Sequence, residues 1–197
     1  SVTGMEVGRT GQQKRPTSMP VTEGHIAYDT RPMIPSGMPI LLLTTGGTID
    51  KVYFDALSDY RVGETTVGRI LDIGRVKRPF RVEEVLRKDS LELTDTDRAT
   101  ICDRVARAAE SHIVITHGTD TMTETARALA DVRDKVVVLV GALAPARFGE
   151  SDASFNLGMA FAAVQLLEPG VYIAMSGTVF RADRVKKDRD KGMFVEV

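Results

Sequence analysis

Residues 113–130, IVITHGTDTMTETARALA, decide the fold of this chain. Ile113-Val114-Ile115 is a short β-branched run, and such residues suit a pleated strand covered on both faces. The run stops at Thr116-His117-Gly118. A helical spacing then takes over, with Met122, Ala126 and Leu129 on one face. Between strand and helix stand Thr119, Asp120 and Thr121, short oxygen-bearing side chains of the kind that cap free N–H groups at a helix start. A strand that turns through glycine straight into a helix points those N–H groups at a crevice beyond the sheet's carboxyl edge. In open α/β sheets, ligands bind there.

The same build recurs earlier in the chain. Residues 38–44, MPILLLT, are an apolar run of strand length that leads into Thr45-Gly46-Gly47-Thr48-Ile49-Asp50. The two glycines permit a tight turn and a close approach of backbone to ligand. Neither the third glycine of a dinucleotide site nor the Gly-Lys-Ser/Thr of a P-loop is present, and Lys51 is misplaced for that role. Residues 52–64 read as a long irregular loop of lid or binding type. Val67–Ile73 reads as a short helix, and residues 80–86 as a strand with Lys88-Asp89-Ser90 at its carboxyl end. Thr94 is the expected cap of an amphipathic helix with Ile101, Val105 and Ala109 on its apolar face.

Beyond the central segment, Val136–Val140 is a second fully apolar strand ending at Gly141-Ala142. Residues 153–167 form a helix, residues 171–175 a strand, and residues 178–180 and 184–187 are expected to pair as a hairpin. Residues 193–197 close the chain as an apolar, β-branched stretch. The alternation predicts an α/β fold, a doubly wound, mainly parallel sheet with helices on both faces. Residues 1–36 are rich in Gly, Pro, Thr and Gln and show no period, so they are expected to be a disordered tail or an added extension. Residues 37–197 are the expected domain.

Apolar content of 43%, charged content of 27% and a formal net charge of -1 are those of an ordinary globular chain. The charge balance gives no case for nucleic acid or an acidic membrane surface. One cysteine, Cys102, excludes an intramolecular disulfide. No apolar run is long enough to span a bilayer and none resembles a secretory signal, so the expected location is cytoplasmic.

Each glycine turn offers a threonine, Thr48 in the first and Thr119 in the second. Neighbouring parallel strands would bring both hydroxyls to one crevice. A hydroxyl needs a base to become a nucleophile at neutral pH. Candidates are Tyr60, Asp120 and a lysine of the Lys186-Lys187 pair, the lysine only where burial or its neighbours favour the neutral form. Backbone N–H groups of the turns are placed to stabilise an oxyanion. No acidic or histidine cluster has metal-ligand spacing. His112 and His117 read as structural, and Glu124 as favourable first-turn charge. Residues 181–191 read, Lys187 apart, as a solvated charged face.

These residues resemble the bacterial-type L-asparaginases. Thr45-Gly46-Gly47-Thr48-Ile49 is similar to the first signature of that family, and His117-Gly118-Thr119-Asp120-Thr121 to the second. The likeness continues through Asp59-Tyr60-Arg61-Val62-Gly63, Asp89-Ser90, Val140-Gly141-Ala142, Phe155-Asn156-Leu157 and Lys187. It implies hydrolysis of L-asparagine to L-aspartate and ammonia without cofactor or metal. Thr48 would be the nucleophile with Tyr60 beside it, and Thr119, Asp120 and Lys187 a second hydroxyl–acid–amine group. Asp120 would hold the substrate's α-ammonium. Gly47, Asp89, Ser90, Gly118 and Thr119 would complete the substrate site, with Ser90 and nearby N–H groups on the α-carboxylate. Leu91 departs from the family by standing where many relatives have a polar residue. The resemblance further implies a short form without the usual second domain, assembled as a homodimer or homotetramer. Two other readings are an ammonia-supplying amidase subunit of an amidotransferase complex and a non-catalytic amino-acid sensor.

Overall fold

The computed structural model describes residues 37–54 and 59–197, and the expectation for residues 1–36 lies outside them. Five parallel strands form the body of one sheet: β1 (Ile40–Gly46), β4 (Phe80–Lys88), β5 (His112–Thr116), β6 (Val136–Val140) and β7 (Gly170–Met175). An antiparallel edge strand, β8 (Thr178–Arg181), completes the spatial order β4-β1-β5-β6-β7-β8. All seven residues of β1 and all five of β6 are buried, the pattern of strands covered on both faces.

Strand alternation divides the core in two. Leu41, Leu43, Ile113, Ile115, Val137 and Leu139 face α2 (Asp95–Arg107) and α3 (Met122–Ala128), meeting Ile101, Val105, Met122 and Ala126. Ile40, Leu42, Val114, Val138 and Val140 face α1 (Val67–Ile73) and α4 (Ala153–Ala163), meeting Val67, Leu71, Leu157 and Phe161. The sheet is doubly wound, as its alternation predicts. The crossovers β4–α2–β5 and β5–α3–β6 advance in one direction with their helices on one face. The crossover β6–α4–β7 advances in the same direction with its helix on the other face, so it has the opposite hand, a rare arrangement for parallel strands.

Four local expectations are corrected. Residues 52–64 are not all irregular: β2 (Lys51–Phe54) and β3 (Asp59–Val62) pair antiparallel, with Lys51 opposite Val62 and Tyr53 opposite Tyr60. Residues 178–180 pair with β7 and not with residues 184–187, because Ser176 (φ 51) and Gly177 (φ 83) make a two-residue turn with both central φ positive, which sends β8 back along β7. The second stretch, β9 (Val185–Asp188), pairs instead with β10 (Met193–Glu196). Thr94 caps α2 through a capping box with Asp97, but the buried alanine beyond Val105 is Ala108, since the helix ends before Ala109. Finally, α4 stops at Ala163, short of residue 167.

Candidate active site

The strand order reverses between β1 and β5. The chain leaves β1 toward β4 on one side and returns past β1 to place β5 on the other. The crevice at such a switch point is the ligand site of open α/β sheets, and both glycine–threonine turns open onto it. The turns touch backbone to backbone. Gly47, with φ 84, lies so close to the second turn that an alanine Cβ in its place would stand 2.4 Å from the Gly118 amide nitrogen. A Cβ on Gly118 would in turn stand 2.5 Å from the Ser90 hydroxyl oxygen. The ends of β1, β5 and β4 are thus nested, and glycine is required where they meet. Thr45 pins the same corner by donating its hydroxyl to the Thr116 carbonyl at 2.8 Å. Thr48 follows in a single 3-10 turn, Thr48–Asp50, and is partly exposed.

Thr119, Asp120 and Thr121 do not cap α3 with their side chains. They are drawn into tertiary bonds. The Thr121 hydroxyl donates to the Ser90 carbonyl at 2.7 Å. Lys187, brought by β9, donates to the Thr119 hydroxyl at 2.8 Å and to the Asp120 carboxylate at 2.5 Å. The Lys187 side chain is only 10% exposed while that of Asp120 is 42% exposed, so the amine is enclosed and the carboxylate is open to solvent. Hydroxyl, acid and amine therefore form one cluster. Spacing alone does not select Lys187 over Lys186; alternation along β9, which turns Lys187 inward, separates them.

Around this cluster each remaining candidate has a definite place. Ser90 is buried at the start of a 3-10 turn, Ser90–Glu92. Asp89 caps that turn by accepting from the Leu91 amide, and pairs with Lys51 at 2.6 Å. Burial pushes the Asp89 carboxyl up, but the Lys51 ammonium and the Leu91 amide outweigh it and hold it below the usual range. Tyr60 is 46% exposed on β3, its ring edge-on to Tyr53 and Phe148 with centroids 5.5 and 6.1 Å away. Two groups escape the sequence reading. Asp50, two residues after Thr48, is buried and accepts from the Thr66 amide at 2.8 Å and hydroxyl at 3.2 Å, which ties the Thr48 turn to the start of α1. Its burial raises the carboxyl pKa. Lys51 shares a face of β2 with Tyr53, a placement that alternation would have shown had the hairpin been recognised.

His117 is fully buried, with Nδ1 2.7 Å from the Gly118 carbonyl and Nε2 2.8 Å from the Thr125 hydroxyl. A carbonyl only accepts, so Nδ1 carries the proton and Nε2 accepts from Thr125. Burial lowers its pKa to about 4. The imidazole is neutral and structural, as the sequence suggests. Glu124 does more than complement its helix, since it receives Arg98 of α2 at 2.7 Å.

The sequence and the fold have counterparts in known proteins. The L-asparaginase of Thermococcus kodakarensis is 32% identical over 165 residues, 79% of this chain and 49% of that protein. A solved structure, the thermostable L-asparaginase from the same organism, matches with a TM-score of 0.71 at 30% identity, covering 81% of this chain and 51% of the other. A glutamyl-tRNA(Gln) amidotransferase component from Pyrobaculum aerophilum is 35% identical over 138 residues, 64% of this chain and 32% of that protein. The chain spans about half the length of the curated L-asparaginases it matches. The family model described as Asparaginase, N-terminal covers residues 39–193, from the residue before β1 to the first residue of β10. By that span, which takes in both glycine turns and Lys187, the chain belongs to the asparaginase family.

Proposed function

We propose that this chain hydrolyses the side-chain amide of L-asparagine, releasing ammonia and L-aspartate. The observation that carries the reading is the Lys187–Thr119–Asp120 cluster at the sheet's switch point. The Thr48 oxygen bonds to the amide carbon as its proton passes to a base. Turn N–H groups stabilise the resulting oxyanion. The carbon–nitrogen bond breaks, the nitrogen leaves as ammonia with that proton, and an ester to Thr48 remains. Water gives a proton to the Thr119–Lys187 pair as its oxygen bonds to the ester carbon; the bond from that carbon to the Thr48 oxygen then breaks, Thr48 takes the proton back and aspartate leaves. Asp120 holds the α-ammonium, and Ser90 with adjacent N–H groups holds the α-carboxylate.

A coupled ammonia assay on asparagine, glutamine and small amides tests this. Thr48→Ala and Thr119→Ala are each expected to lower turnover by about a hundredfold or more, with circular dichroism unchanged. A folded wild type that releases no ammonia from any of these amides would defeat the proposal. The amidotransferase relative keeps a second reading in play, in which the domain supplies ammonia within a complex. That reading expects little free activity and a tightly bound partner.

A further inference from the structure

We infer that Lys51 is a substrate-binding residue of this site, taking the anionic end of the amide substrate; the inference rests on the amidase reading above. In the hairpin β2–β3, Lys51 and Tyr53 lie on one face, and their cross-strand partners Val62 and Tyr60 lie on it too. That face is anchored at two points. Val62 approaches Gly46 of the first glycine turn, and Tyr60 packs on Phe148 of the loop after β6. Lys51 therefore stands on the same face as Tyr60 and lines the same cleft. It reaches the residue next to Ser90, with its ammonium 2.6 Å from Asp89.

An ammonium has three donors, and the Asp89 pair leaves others for a ligand. The two side chains are 26% and 25% exposed, so solvent and small solutes reach them. Lys51, Tyr60, Val62 and Asp89 line one cleft of about 340 Å³ together with Arg61, Glu92 and Arg87, the last held by Glu84 at 2.8 Å. Within this lining the Lys51 ammonium is the cation bound beside Ser90, and it suits a carboxylate. Leu91, beside Ser90, is 67% exposed and its side chain brings no polar atom, so Lys51, bound to the preceding Asp89 at 2.6 Å, is the side-chain donor placed to complement Ser90. Asp89 orients that cation by holding it at the mouth of the turn.

The test measures binding of L-aspartate and of its α-amide, which lacks the α-carboxylate charge, by titration calorimetry on the wild type, Lys51→Met and Lys51→Arg. Wild type is expected to prefer aspartate. Lys51→Met should lose about tenfold to a hundredfold of aspartate affinity and little for the α-amide, while Lys51→Arg restores the preference. In ammonia kinetics the loss should fall on KM and spare kcat. Equal weakening of both ligands by Lys51→Met, or a lowered melting temperature with the preference intact, overturns the inference and leaves Lys51 as a tie between hairpin and sheet. Ammonia release with a KM indifferent to Lys51→Met overturns it while sparing the hydrolase reading. A Lys51-dependent preference for aspartate in a protein that releases no ammonia does the reverse.

Discussion

His117 stands two residues before Thr119 and never meets solvent. Its folded pKa of about 4 lies below the 6.5 of a free imidazole, so in mild acid the unfolded chain binds a proton that the folded chain refuses. Acid therefore favours unfolding through this residue. The loss begins as pH falls through about 6.5, is complete near 4, and amounts to roughly 3 kcal/mol at full expression. Urea unfolding of the wild type and of His117→Gln across that window checks it. The variant should be less stable at neutral pH, and its stability should depend less steeply on pH between the two values. Parallel curves would mean that the imidazole is not what couples this turn to acid. Among the other residues, Thr119 and Asp120 are legible from their turn, whereas Lys51 is not, because a lysine after a glycine turn is naturally weighed as a phosphate ligand and then set aside.

At the scale of elements, the opposite-handed crossover β6–α4–β7 needs an anchor, and Asn156 provides it. Its amide donates to the Gly141 carbonyl at 3.1 Å, where β6 ends, and its side-chain oxygen accepts from the Ser176 amide at 3.0 Å, where β7 ends. The residue is fully buried. Asn156→Ala would orphan a carbonyl and an N–H that water does not easily reach. The expected destabilisation is about 2–4 kcal/mol, read from chemical denaturation. A change within about 0.5 kcal/mol would show that the crossover holds itself. The legible elements are those whose faces are both covered: β1, β5 and β6 carry the apolar runs 40–43, 113–115 and 136–140, and a run of that kind admits few readings. The hairpin β2–β3 hides because four-residue strands with one inward lysine show no usable period. The partner of β8 hides because it is chosen by the positive φ of Ser176 and Gly177, and serine rarely announces such a turn.

For the whole molecule, the exposed aromatic group at the crevice bears on assembly. Tyr53, Tyr60 and Phe148 touch in series and are 52%, 46% and 44% exposed. Phe155 on α4 is 63% exposed and Leu143 after β6 is 54% exposed. Side chains of this size left in water favour association, each worth up to about 1.5–3 kcal/mol on full burial. A homodimer or homotetramer is therefore expected in sedimentation over a dilution series, with Phe155→Ser shifting the equilibrium toward monomer. A strictly monomeric wild type at all concentrations would show that this surface serves something other than a second copy.

Lys187 lies 68 residues beyond its partner Thr119. Both ends of that contact must exist before it can form, so synthesis imposes a schedule on the chemistry. Chain emerges from the ribosome at about 5–20 residues per second. The parallel sheet, whose last parallel strand ends at Met175, can pair roughly one to two seconds before the strand bearing Lys187 is free to dock. A nascent chain can thus hold a nearly finished scaffold while its Thr119 hydroxyl still lacks an amine. On the hydrolase reading proposed above, the cluster is complete only when almost all of the described domain has been made.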